Sequence, residues 1–98
     1  MTQVIAMTLS NPSLQHKTVV VIGAGSGIGA AVARQAAARG AKVVLAGRNL
    51  EALQRQQVQL PPSARSLAVD ITDAASLGDL FSAVGAFDHL VISAGPAI

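Results

Sequence analysis

Cysteine, tryptophan and tyrosine are absent from this 98-residue chain, and phenylalanine occurs only at Phe81 and Phe87. Without cysteine there is no disulfide framework and no thiolate-ligated zinc or iron–sulfur centre; the composition suits a reducing compartment, and a cytoplasmic location is expected. Two rings are too few for a stacking platform that reads bases or proline-rich peptides. A mechanism that needs a phenol cannot run on these residues alone. Charge is sparse as well, at 12% of residues with a net charge of +2, and the two lysines and five arginines are scattered. No block resembles a nucleic-acid or polybasic membrane tether, so neither partner is expected. Apolar runs are broken by Gly or Arg well short of the roughly 20 residues a membrane span requires. Met1 to Gln15 also lacks the basic stretch and unbroken apolar core of a secretory leader.

What remains is apolar, 51% of the chain by count, and the length suits one compact domain. Thr18 to Ile22 is a β-branched run between Lys17 and Gly23, the pattern of a strand buried on both faces of a parallel sheet. Helix formers follow from Gly27 to Ala38, with Ile28, Ala31, Val32 and Gln35 at turn-like spacings and Gly40 as a stop. Ala41 to Ala46 repeats the strand pattern. Asn49 is placed to cap a second helix, Leu50 to Val58, with Leu50, Leu53 and Gln57 on one stripe; Pro61 and Pro62 end it. Arg65 to Val69 reads as a third strand, Asp73 to Val84 as a third helix and Asp88 to Ile92 as a fourth strand. Alternation at this spacing predicts an α/β fold with a parallel sheet. Residues 1–16 read as an amino-terminal lead and 17–98 as the domain.

The stretch from Val19 to Ala30 carries the chemistry. Four glycines, Gly23, Gly25, Gly27 and Gly29, lie where a buried strand turns into a helix. Such a loop permits a tight turn, a bare backbone against a pyrophosphate, and close approach of helix to sheet. Amides at the first turn, aided by the helix dipole, then face the phosphates. Two glycine frames fit: Gly25, Gly27 and Ala30 satisfy G-x-G-x-x-A, and Gly23, Gly27 and Gly29 satisfy G-x-x-x-G-x-G.

From Lys17 onward the sequence resembles the amino-terminal half of a short-chain dehydrogenase/reductase. The resemblance rests on Gly23, Gly27, Ile28 and Gly29, on Arg39-Gly40-Ala41, on Ala46-Gly47-Arg48, on Val69-Asp70-Ile71, and on Asp88 through Gly95. It implies a partial Rossmann fold of about four strands in order 3-2-1-4 with three intervening helices. The cofactor-binding residues it implies include Gly23, Ser26, Gly27, Ile28 and Gly29 around the pyrophosphate. Asp70 would accept a hydrogen bond from the adenine amine, with Ile71 beside the base, and Ser93, Ala94 and Gly95 would pass close to the cofactor ribose. Two residues depart from the family pattern: Ser93 replaces Asn in Asn-Ala-Gly, and Ile22 stands where many relatives carry a Thr that ties the first and fourth strand ends together.

Selectivity follows from charge. A carboxylate at the end of the second strand accepts bonds from the ribose hydroxyls of NAD, whereas a 2′-phosphate needs that acid absent and a cation near. Gly47 takes the acid's place and Arg48 follows it, a guanidinium suited to bidentate contact with phosphate. NADP is therefore the expected cofactor, and Asn49 either helps hold the phosphate or serves as a helix cap.

The catalytic tyrosine, lysine and serine of the family belong to the half beyond the fourth strand, so no catalytic residue is assigned among these 98. His16 is expected to be exposed and His89 to be structural; two separated histidines make no metal site. The resemblance implies a parent that transfers hydride between a nicotinamide and a carbonyl or alcohol substrate. In the truncated domain the fourth strand would be an open edge, inviting a homo-oligomer or a complementary carboxy-terminal half. The alternative is a non-catalytic nucleotide-binding or assembly module that pairs through that edge.

Overall fold

A computed structural model describes residues 13–93. Seven elements alternate: β1 (Thr18–Ile22), α1 (Gly27–Ala38), β2 (Lys42–Gly47), α2 (Leu50–Gln57), β3 (Arg65–Ala68), α3 (Ala74–Val84) and β4 (His89–Ile92). The strands form one parallel sheet in the order β3-β2-β1-β4. The partial Rossmann order expected from the sequence is the one observed.

The apolar run of β1 from Val19 to Ile22 follows from its position. Val19 and Val21, with Val43, Leu45 and Val91, face Val32, Ala33 and Ala36 of α1 and Leu53 of α2. Val20 and Ile22, with Val44 and Ala46, belong to the opposite layer with Leu77, Leu80, Phe81 and Val84 of α3. A central parallel strand covered on both sides has no solvent face on which to alternate. The first two helices thus share one side of the sheet and α3 takes the other. The reversal falls between β1 and β4, and in open α/β sheets ligands bind beyond the carboxyl ends of the strands at such a switch point.

The buried residues of α1 are Gly29, Ala30, Val32, Ala33 and Ala36, so its inner stripe differs from the one the spacing predicts, and Ile28 is 53% exposed. The cause is Gly29: the helix must present that residue to the loop at Gly23 and Ala24, which turns Ile28 and Gln35 outward. The helix ends in a Schellman motif, in which the amide of Gly40 donates to the Ala37 carbonyl at 3.0 Å and that of Ala41 to the Ala36 carbonyl at 3.1 Å. In α2, Leu53 is fully buried, while Leu50 points to solvent. Gln57 instead satisfies polar groups, its amide nitrogen donating to the Ala64 carbonyl at 2.9 Å and its oxygen accepting from the Ser66 hydroxyl at 2.5 Å.

At the other end of the sheet, the Asp88 carboxylate accepts from the Thr18 amide at 2.8 Å while its own amide donates to the Thr18 carbonyl at 2.9 Å. Leu14 packs into the core beside α1. The outer strand β4 buries Val91 but leaves Leu90 and Ile92 exposed on the α3 side. Among the described residues no helix is long and apolar enough to cross a membrane.

Candidate functional site

The site is built where β1 runs out. Beyond Ile22 the amides of Gly23 and Ala24 both donate to the Ala46 carbonyl, at 2.7 and 3.2 Å, so the loop is pinned to the end of β2. A Cβ placed on Gly29 would lie 2.0 Å from the Gly23 carbonyl oxygen and 2.7 Å from its carbon. No side chain fits there, and the first turn of α1 therefore lies directly against the loop. Ala30, by contrast, is buried with its methyl group in place. The steric demand selects the frame Gly23, Gly27 and Gly29 over the one that ends at Ala30. Gly27 has φ of +62°, in the region that favours glycine.

The three helices begin differently. The side chain of Asn49 accepts from the Ala52 amide at 3.1 Å, and that of Asp73 from the Ala75 amide at 2.9 Å. Ser26, the residue before α1, is extended and makes no side-chain capping bond. The helix that faces the sheet's switch point is thus the one that lacks a side-chain acceptor of its own, an arrangement compatible with an external anion.

Two clefts flank Arg48. One, of about 410 Å³, lies between the loop residues Gly23, Gly25 and Ser26 and the turn formed by Gly47, Arg48 and Asn49; Ala52, Leu53 and Arg55 complete it. The other, of about 350 Å³, is lined by Arg48, Ala68, Val69, Asp70 and Ser76. Gly25 and Gly47 bring no side chains into the first cleft. Cβ atoms there would meet Ala52 Cβ at 3.3 Å and Leu53 Cδ2 at 3.4 Å respectively, so α2 approaches closely.

In the second cleft the Asp70 carboxylate accepts from both the hydroxyl of Thr72, at 2.6 Å, and its amide, at 3.0 Å. These bonds, with a smaller attraction from Arg48, hold its pKa below the ordinary 3.8. The Asp70 amide donates to the Ser76 hydroxyl at 2.9 Å, which orients the turn, and Ile71 is exposed beside it. Asp70 is therefore a fixed, ionised acceptor.

Across the sheet, the Ser93 amide donates to the Ile22 carbonyl at 2.8 Å. The ends of β1 and β4 are joined by backbone, and Ile22, 1% exposed, packs into the α3 layer. With Ile22 at this position, the junction is made by that main-chain bond and by apolar packing. Ala94 and Gly95 lie outside the described residues. His16 is exposed with φ of +66°, and His89 pairs with Val19 in the sheet.

The structure adds residues that sequence reasoning missed. Arg55 lines the first cleft, and Thr72 and Ser76 fix Asp70. The spacing of Asn49, Ala52 and Arg55 along one flank of α2 carried a signal, but an exposed helical arginine is ordinarily only a solvated charge.

A profile of the short chain dehydrogenase family matches residues 17–98. The chain is 37% identical over 89 residues to an uncharacterized oxidoreductase of Staphylococcus epidermidis, covering 87% of this chain and 39% of that protein. It is 42% identical over 87 residues to an uncharacterized oxidoreductase of Staphylococcus aureus, covering 84% and 38%. Among solved structures, a short chain dehydrogenase/reductase family protein superposes with a TM-score of 0.81 at 36% identity, over 86% of this chain and 36% of the other. A short-chain type dehydrogenase/reductase from Mycobacterium ulcerans gives 0.77 at 33%, over 88% and 35%. The chain thus spans well under half the length of these relatives.

Proposed function

The chain belongs to the short-chain dehydrogenase/reductase family, whose fold binds a nicotinamide dinucleotide, and from that premise we propose that it is the NADP(H)-binding part of an oxidoreductase. The intact protein would transfer hydride between the nicotinamide and a carbonyl or alcohol substrate. One observation carries the cofactor assignment: the cleft beside the glycine loop is lined by Gly47, Arg48 and Asn49 and by no carboxylate. A 2′-phosphate requires that charge pattern, and the ribose diol of NAD is better served by an acid at position 47.

The residues present fit the group. Gly23, Ser26, Gly27, Ile28 and Gly29 would hold the pyrophosphate, Arg48 and Asn49 the 2′-phosphate, and Asp70 and Ile71 the adenine. Ser93, with Ala94 and Gly95, would border the nicotinamide ribose. When bound, the nicotinamide would carry the hydride, donating it in its reduced form and accepting it in its oxidised form. The chain's own residues bind and orient; the sequence contains no tyrosine to move the substrate proton. In this reading the protein works in the cytoplasm, and β4 meets either a second copy or a carboxy-terminal half.

Titration calorimetry of the purified chain with NADPH and NADH tests the reading. NADPH is expected to bind more tightly, and Arg48→Ala to weaken it by about tenfold or more, the loss of a charge-assisted contact, with NADH little affected. Equal binding of the two cofactors contradicts the assignment. A second reading, an assembly module without catalysis, draws on the exposure of Leu90 and Ile92 on the outer strand. A defined oligomer that binds neither cofactor would favour it.

A further inference from the structure

The cleft beside the glycine loop contains a second cation that its sequence motif does not include. Arg55 lines it together with Arg48, although seven positions separate them. The reason is helical: Asn49, Ala52 and Arg55 recur every three residues along one flank of α2, so that flank forms a wall of the cleft from its cap to its last turn. The wall is held close to the loop. Gln56 donates to the Gly25 carbonyl at 3.5 Å and accepts from Arg34 of α1 at 3.3 Å.

The Arg55 guanidinium rests 3.7 Å from the Glu51 carboxylate, with the two side chains 66% and 84% exposed. An i, i+4 pair this open to water contributes little, so Arg55 is held loosely. Glu51 does not line the cleft, nor does any other carboxylate.

Resting on the NADP(H) reading above, we propose that Arg55 is a second recognition residue for the 2′-phosphate, exchanging Glu51 for the phosphate when the dinucleotide binds. Arg48 approaches from the end of β2 and Arg55 from the last turn of α2, so the phosphate is met from two sides. A phosphate carries more charge than a carboxylate and accepts the same forked donors. Glu51 is the internal competitor.

Titration calorimetry of the chain with 2′,5′-ADP and with 5′-AMP isolates the 2′-phosphate from the nicotinamide. Arg55→Ala is expected to weaken 2′,5′-ADP by about tenfold and to leave 5′-AMP unchanged. Glu51→Gln, which removes the competitor, is expected to tighten 2′,5′-ADP by about threefold, again without effect on 5′-AMP. If Arg48→Ala abolishes the preference while Arg55→Ala and Glu51→Gln leave it unchanged, the role of Arg55 is overturned and the NADP(H) reading stands. If the unmodified chain does not distinguish the two nucleotides, both fail.

Discussion

Gly29 and Gly27 show how differently two glycines of one motif act. A methyl group at Gly29 would collide with the Gly23 carbonyl, so Gly29→Ala must push α1 off the loop. We expect a loss of about 3 kcal/mol, the upper part of the range for overpacking. At Gly27 there is open space around a would-be Cβ, and the cost is conformational, from a φ of +62°; Gly27→Ala is expected to lose about 1 kcal/mol. Urea denaturation of both variants checks the ranking, and equal losses would refute the steric account. Asp70 offers a pH test. Its folded pKa lies below the ordinary 3.8 because Thr72 donates twice to the ionised form. The resulting stabilisation is fully present above 3.8 and is lost as pH falls through the folded value. Thr72→Val is expected to raise the Asp70 midpoint toward 3.8 in a carboxyl-carbon NMR titration; an unmoved midpoint would assign the shift elsewhere. The glycine motif, Arg48 and Asp70 were legible in the sequence because each sits at a fixed offset from a strand end. Thr72 and Arg55 were not, since their roles depend on turn geometry and on the approach of α2 to the loop.

Among the helices, α2 and α3 are closed by side-chain caps and α1 is not. Asn49 thus has a structural duty independent of any phosphate. Asn49→Ala is expected to cost about 1 kcal/mol, and Asn49→Asp to restore the cap. Thermal unfolding separates that duty from ligand contact, because Asn49→Asp should recover stability while placing a negative charge in the cleft and weakening NADPH. Recovery of both stability and affinity would remove Asn49 from the proposed phosphate site. The strand–helix alternation could be read from the sequence because fully covered strands are apolar without interruption and the first two helices are bracketed by Gly40, Asn49 and the Pro61-Pro62 pair, whereas Asp73, expected as the first helical residue, caps α3 instead. The inner stripe of α1 could not be read from its periodicity. It is set by the one contact, Gly29 against Gly23, that turns Ile28 outward, and such a contact belongs to the folded loop rather than to the helix.

For the molecule as a whole, sheet order decides what is near what. The order β3-β2-β1-β4 brings the loop after β1, the turn after β2 and the end of β4 to one edge of the sheet, and residues from 23 to 93 meet around the proposed cofactor path. The same order leaves β4 outermost, with Leu90 and Ile92 exposed. Light scattering is expected to show association that weakens in Ile92→Lys, and a strictly monomeric chain would argue against pairing through that strand. If one dinucleotide spans the glycine loop, the Arg48 clefts and Asp70, an amide NMR titration of the chain with NADPH will trace its path. Saturable shifts are expected at Gly23, Ser26 to Gly29, Arg48, Asn49, Asp70 and Ser93, with β3 residues Arg65 and Ser66 unmoved. Saturation with shifts confined to another face, or no shifts from a folded chain, would contradict that path.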